Sequence, residues 1–390
     1  MLNLSGIAID PEQHASHSMS DTVSAKAFAD IFKHSTPLLD VRSPMEFRRG
    51  AFQHASNLPL LDDAEREAVG TRYRQRGKEA AIALGGELVN GDSRLRRLSA
   101  WRIYLEQHPC ALLYCFRGGL RSQTVQQWLG RENISVPRIE GGYKALRRFL
   151  IHNLERIAAA TDFLIVAGKT GSGKTHLLNQ LSNSIDLEGI AHHRGSAFGR
   201  RARPQPSQIN FENNLTAALI NLPTASTCKV FIEDESRGIG SVSLPQSLHT
   251  QMLAAPIAVV EESLDSRVDT ILNDYIVSNY HEFERDQGAD LEAVFENFLL
   301  TSLARIQKRL GSENYEAIGS LMRDALESQV KTGGFESHRS WIESLLRNYY
   351  DPMYDYQLNK KLQRVVFRGD KQEFLNWSAS IGATVKEPST

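Results

Sequence analysis

FLIVAGKTGSGKTHLLNQL, residues 163–181, decides the fold of the chain's second half. The β-rich apolar run 163–168 reads as a strand and 176–181 as a helix. Between them, Gly168-Lys169-Thr170-Gly171-Ser172-Gly173-Lys174-Thr175 fits G-x4-G-K-[ST] at every fixed position. Strand, glycine-rich loop and helix in that order are the context a phosphate-binding loop requires. Backbone N–H groups of residues 171–175 would cradle a diphosphate, Lys174 would neutralise its oxygens, and the Thr175 hydroxyl would ligate Mg²⁺. Farther on, Val230-Phe231-Ile232-Glu233-Asp234-Glu235 is apolar and then acidic. Asp234 is the expected metal-side carboxylate, with Glu233 or Glu235 as substitutes, although a strand ending in a solvated acidic turn would read the same way.

Outward from this loop, short apolar runs alternate with amphipathic stretches, the pattern of α/β layers with largely parallel sheets. Candidate strands are 37–42 (PLLDVR), 111–116 (ALLYCF), 163–168, 229–234 (KVFIED) and 256–261 (PIAVVE). The first two are separated by a polar, turn-rich stretch and belong to one unit. A helical segment at 143–160 leads into the second. From about 263 onward apolar residues fall at three-and-four spacing, a helical pattern, with one late strand candidate at 364–368. The expected organisation is an N-terminal extension (1–20), a parallel-sheet α/β domain (21–155), a P-loop NTPase-like α/β domain (156–262) and a mainly helical C-terminal region (263–390).

Composition sets the outer limits. With 390 residues, 41% hydrophobic and 23% charged, the chain has the makeup of a soluble globular protein of two to three domains, not of a disordered or collagen-like one. Cys110, Cys115 and Cys228 are too few for a disulfide framework, and a reducing, cytoplasmic setting is expected. No apolar run reaches the roughly 20 residues of a membrane helix. The net charge of −1 hides an asymmetry: residues 1–205 carry 28 Lys and Arg against 20 Asp and Glu, and the remainder 17 against 26. A basic half suits a polyanion-binding surface, although solvated faces give similar counts.

The most specific chemistry in the first unit is Tyr114-Cys115-Phe116-Arg117-Gly118-Gly119-Leu120-Arg121-Ser122. A cysteine between a strand end and a helix start sits where backbone N–H groups and the positive helix end converge, which favours its thiolate. Gly118 and Gly119 let the backbone curl, and Arg117 and Arg121 offer guanidinium donors to an anion. Cys115 is the expected nucleophile. Taken alone, Cys-x5-Arg also fits cysteine phosphatases, with a phosphoryl group in the same cradle.

A third stretch, 192–206 (HHRGSAFGRRARPQP), is basic and Gly/Pro-rich with one aromatic. Arg194, Arg200, Arg201 and Arg203 could contact phosphates and Phe198 could stack on a base. His192 and His193 lack partners at metal-ligand spacing, so no zinc site is expected.

Asp40-Val41-Arg42-Ser43-Pro44-Met45-Glu46-Phe47, with Gly50-Ala51 and Asn57-Leu58-Pro59, resembles the rhodanese-like fold, a sulfur-carrying α/β domain. Asp40 and Arg42 are expected to be structural. A rhodanese-like unit followed by a P-loop unit, together with NLPLLDDAEREAVGTRYRQRG, YCFRGGLRS, IEGGYKALRR, HRGSAFG, QPSQINFEN, IEDESRGIG and YYDPMYDYQL, resembles the tRNA 2-selenouridine synthases over nearly the whole chain. That resemblance implies a transferase that replaces sulfur by selenium in 2-thiouridine at the wobble position of tRNAs for Lys, Glu and Gln. Two steps are implied: S-geranylation with geranyl diphosphate, then selenation with selenophosphate. The phosphate loop would hold the allylic diphosphate without ATP hydrolysis. Cys115 would mediate the transfer of selenium from selenophosphate, with Arg117 and Arg121 on the phosphate. A tRNA anticodon stem-loop and a selenophosphate-supplying enzyme are the implied partners. A phosphatase or kinase fusion, a sulfurtransferase acting on the same base, and a non-catalytic tRNA-binding module remain as alternatives.

Overall fold

The computed structural model describes residues 21–223, 229–286 and 290–383; the 1–20 extension and Cys228 lie outside them. The chain divides into two compact units. One holds the residues up to Arg48 with His54–Leu146, the other Arg49–Gln53 with Arg147 onward.

The first unit is built on five parallel strands in the order Thr22–Val23, Arg138–Ile139, Leu112–Tyr114, Leu38–Asp40, Ala55–Asn57. Leu39, Val41, Leu113, Val125 and Leu129 fill the core with Trp101, whose indole N–H donates to the Leu58 carbonyl (2.9 Å). The expected structural role of Asp40 and Arg42 is visible here. Their buried side chains form a bidentate pair (2.9 and 2.6 Å to one oxygen of Asp40), and the guanidinium lies 3.9 Å from the centre of the Tyr143 ring.

The stretch between the first two candidate strands, expected to be polar and turn-rich, holds the short helix Pro44–Arg49, the strand Ala55–Asn57 and two longer helices, Asp63–Leu88 and Gly91–Gln107. The first of the longer two starts at a capping box between Asp62 and Glu65 and is interrupted at Gly77, where φ is 80°. Only Ala81 of its 26 residues is buried. It therefore carries almost no apolar stripe, which is why hydrophobic periodicity did not reveal it.

The second unit contains the phosphate-loop strand at the centre of five parallel strands: Val365–Gly369, Ile257–Val260, Phe163–Ala167, Val230–Glu233, Ser184–Ile185. Its three central strands are buried at every residue, the continuous apolar runs that a sheet covered on both faces demands. Val166 registers with Glu233, so the phosphate loop and the acidic run leave the sheet side by side at their carboxyl ends.

The region beyond 263 is largely helical, as expected, but it is not a separate body. The late strand pairs in parallel with Ile257–Val260, and Phe374 packs among Leu164, Val166 and Phe231. The helices Leu291–Ala304, Ser312–Thr332 and Arg339–Leu345 enclose a second apolar cluster with Phe295, Met322 and Trp341. Among the described residues no helix is long and apolar enough to cross a membrane.

Candidate active sites: a cysteine loop and a phosphate loop

In the first unit, Cys115 ends the strand Leu112–Tyr114 and the helix Leu120–Arg131 starts five residues later. The side chain is 3% exposed. None of the backbone N–H groups of residues 116–122 donates to an acceptor among the described residues, so the loop presents a run of unspent donors. Such a run is an anion nest. The segment after Ile139 holds it in shape. Tyr143 and Lys144 N–H donate to the carbonyls of Cys115 (2.9 Å) and Phe116 (3.0 Å), and Arg138 donates to that of Gly118 (2.8 Å). Gly142, at φ 57°, is required there because a Cβ would overlap the Cys115 carbonyl.

Two residues not singled out in the sequence complete the site. The Ser122 hydroxyl donates to the Gly119 carbonyl (3.0 Å) and lies 3.2 Å from Cys115 Sγ, so it can turn its proton to a sulfur anion. Glu46 grips Arg121 through two bonds (2.5 and 3.2 Å) and also meets Ser43 N–H and Arg66. Burial raises the Glu46 pKa, but the bonds and charge of Arg121, with Ser43 and Arg66, outweigh it and hold the carboxyl below its usual value. Arg121 is thus a fixed, partly neutralised donor, whereas Arg117 is exposed beside Phe116. Glu46 stands in the DVRSPMEF stretch, 75 residues from Arg121, and nothing local ties the two.

In the second unit, Gly168 leaves the central strand and the helix Lys174–Gln180 begins after Gly173, whose φ of 73° favours glycine. Ser172 N–H turns back to the Lys169 carbonyl (3.0 Å); the N–H groups of Thr170, Gly171, Gly173, Lys174 and Thr175 donate to no acceptor among the described residues. Lys174 Nζ rests on the Gly168 carbonyl (2.9 Å). The loop opens into a cleft of about 1070 Å³ whose wall includes Lys174, Arg194, Arg201, Arg305, Lys361 and Arg364.

The carboxylate beside Thr175 is Glu233, not Asp234. The Thr175 hydroxyl donates to Glu233 (2.8 Å) and reaches Glu188 (3.2 Å), while Asp234 is bound by Lys361 (2.7 and 3.0 Å). Alternation decides it: Glu233, the last residue of its strand, points toward the helix Lys174–Gln180, and its successor turns the other way. Burial first, then the charges of Glu188 and Asp186, push Glu233 well above the usual carboxyl range; burial and Glu188 raise Glu235 to about 8. With only the charge of Lys174 beside them, three crowded acids favour a retained proton or a further cation. Among the described residues no three His, Cys, Asp or Glu form a metal cage, but Mg²⁺ commonly takes one or two carboxylates and fills its shell with water and phosphate. The hard oxygens of Thr175, Glu233 and Glu188 fit that ion.

In the loop 192–206, two of the residues expected to meet RNA, Phe198 and Arg194, are buried within the protein. Phe198 is 4% exposed and packs on Trp341 (5.6 Å between centroids). Arg194 is buried, donates to Asn279 (2.5 Å) and carries the Tyr275 hydroxyl on its carbonyl (2.9 Å). Arg201 faces Glu282 (3.7 Å) and the cleft; of the loop's arginines, Arg200 and Arg203 are exposed. Burial, then Arg200, Arg305, Arg194 and Arg201, push His193 down to about 4, so it is neutral at pH 7. The glycine-rich, basic composition that suggests a surface loop here serves a loop folded back under the cleft.

The helix Asp351–Asn359 of the C-terminal region braces the phosphate loop. Asp351 forks Arg267 (2.7 and 2.8 Å), which also reaches the Thr170 carbonyl (3.3 Å), and Asp355 pairs with Lys169 (3.1 Å).

Comparison with known proteins adds an independent line. The family model described as "tRNA 2-selenouridine synthase AAA domain" matches residues 161–384. Relatives named tRNA 2-selenouridine synthase include one from Pseudomonas paraeruginosa, 49% identical over 89% of this chain and 95% of its own. Others come from Marinobacter nauticus, 44% identical over 92% and 98%, and Shewanella frigidimarina, 46% identical over 92% and 98%.

Proposed function

The chain belongs to the tRNA 2-selenouridine synthase family, and from that premise we propose that it converts 2-thiouridine at the wobble position of tRNAs for Lys, Glu and Gln into 2-selenouridine in two steps. The first is S-geranylation from geranyl diphosphate in the phosphate-loop cleft. The second is selenation from selenophosphate at Cys115. The observation that carries the reading is the presence of two anion cradles of different chemistry, one around a thiol and one opening into a large cationic cleft.

The geometry supports each step separately. In the cleft, the unspent N–H groups and Lys174 receive the diphosphate and stabilise it as it departs with the C–O electron pair, while the thiocarbonyl sulfur bonds to the allylic carbon. Mg²⁺ bound at Thr175, Glu233 and Glu188 would supply further neutralisation of the diphosphate charge. S-alkylation turns a poor leaving group into a thiol and makes C2 of the base electrophilic. In the cysteine loop, the N–H run and Arg121 hold the phosphate of selenophosphate beside Cys115 Sγ, and Ser122 supports sulfur as an anion. Overall, the C2–S bond is exchanged for C2–Se, geranylthiol leaves, and phosphorus leaves as phosphate with the addition of water.

The test is mass spectrometry of nucleosides from a 2-thiouridine anticodon stem-loop incubated with the protein, Mg²⁺ and both donors, omitting each in turn. The S-geranyl nucleoside without selenophosphate, and 2-selenouridine with both, are expected. An unchanged base in every combination, or aryl phosphate turnover in its place, would sink the reading.

A further inference from the structure

The helix Asp63–Leu88 is absorbed by neither active site, and its middle has unusual electrostatics. Thr71-Arg72-Tyr73-Arg74-Gln75-Arg76-Gly77-Lys78 contains four cations and no acid. Tyr73 is 58% exposed, the highest value among the tyrosines that line neither active site bar Tyr356. At its start the helix pairs Asp63 with Arg48, Glu65 with Arg97, and Arg66 with Glu46. Arg72, Arg76 and Lys78 meet no carboxylate among the described residues, and Arg74 reaches only the Thr71 hydroxyl (3.2 Å).

At 100° per residue, Arg72, Tyr73 and Arg76 share one face. Like charges at i,i+4 weaken a helix, and this one has no buried stripe to compensate. At Gly77, φ is 80° and an added Cβ would meet nothing within 4 Å, so the kink stands in open space. The start of the helix, by contrast, is tied down beside the cysteine loop. Met45 N–H donates to Asp63 (2.7 Å), and Arg66 shares Glu46 with Arg121. From Arg66 to Arg72 and Arg76 is six to ten residues, or roughly 9–15 Å along the axis.

We propose that Arg72, Tyr73 and Arg76 form a docking face for the phosphate backbone of the anticodon stem while the loop base is handled at Cys115. The inference rests on tRNA being the substrate. Two guanidiniums on one turn match the spacing of successive phosphates only loosely, which suits sequence-independent backbone contact, and an exposed tyrosine beside them adds a hydroxyl donor and a stacking surface. A polyanion also relieves the repulsion that the free helix carries. An acidic protein partner would use the same charges but not discriminate stem from loop.

Anisotropy titrations of the full chain with a labelled anticodon stem-loop, and with the single-stranded loop alone, between about 50 and 200 mM salt, test it. For Arg72→Gln/Arg76→Gln the slope of log K against log salt should flatten by about 1.4–1.8 units, the loss of two phosphate contacts, with the loop-alone affinity unaltered. Arg72→Lys/Arg76→Lys should restore the slope, and circular dichroism should show all variants folded. A wild-type slope and Kd in the Gln variant, or equal losses on stem-loop and loop, would overturn the assignment and hand the face to a protein partner or to the loop. No binding by the wild-type chain would overturn the tRNA reading together with it.

Discussion

The cysteine loop and the phosphate loop are both strand-to-helix turns with unspent backbone N–H groups, yet they treat charge in opposite ways. Around Cys115 the cation is already spoken for: Arg121 is clamped by Glu46, and the sulfur is buried against a single hydroxyl. The phosphate loop instead faces an excess of buried acid, Glu188, Glu233 and Glu235, across from a cleft lined by cations. The first arrangement pairs its charges within the loop; the second leaves several buried acids crowded beside Lys174. One backbone device thus stands in two different electrostatic settings.

The largest expected effects separate the loops outright. Cys115→Ser should abolish 2-selenouridine formation and leave the S-geranyl product accumulating. Lys174→Ala should lower S-geranylation by roughly 10²–10³-fold, the usual cost of removing one donor to developing negative charge, while selenation of a pre-geranylated stem-loop continues. Nucleoside mass spectrometry reads both, and the contrast collapses if the two substitutions block the same step.

Next in size is Phe198→Ala. As a core residue against Trp341 it should cost about 3–5 kcal/mol in a denaturant titration and leave the salt dependence of RNA binding unchanged. Full stability with weakened RNA binding would return this aromatic to the RNA surface.

Glu46→Gln sharpens the account of the cysteine loop. Removing the clamp should lower kcat/KM for selenation about tenfold, or ~1.4 kcal/mol, with geranylation intact. The pH profile should also shift between Glu46→Gln and wild type if the pair sets the orientation of Arg121; an unmoved profile and rate would make Glu46 merely structural.

The smallest effect tests the crowded acids beside the phosphate loop. Glu235, held near 8 by burial and Glu188, keeps in the folded state a proton that the unfolded chain releases near its ordinary value of 4.5. Folded protein then binds more protons than unfolded protein across that window, so stability falls as pH rises from about 4.5 through 8. In a chelator the unfolding midpoint should drop by on the order of 5 °C between about pH 6 and 8.5, and Mg²⁺ should flatten the decline. A decline of equal steepness with Mg²⁺ would argue that no cation joins these acids.

What could be read from the chain alone followed from contiguity. Residues 115–122 and 168–175 each carry their chemistry in one unbroken turn, and the continuous apolar runs before them announce buried parallel strands. The two anion cradles, the α/β class and the helical character of the C-terminal third are all legible in the chain, because each is set by local backbone requirements or by a short hydrophobic period. Tertiary structure alone decided the partners: Glu46 on Arg121 across 75 residues, Lys361 on Asp234 across 127, Asp351 on Arg267 across 84, and Phe198 under Trp341. It also decided that Glu233 and not its neighbour faces Thr175, and that the polar stretch at 63–88 is a helix. The physical reason is the same throughout. An ion pair or a buried contact between distant residues leaves no periodic trace in either segment, and only the folded chain determines which charges are neutralised and which remain free to bind.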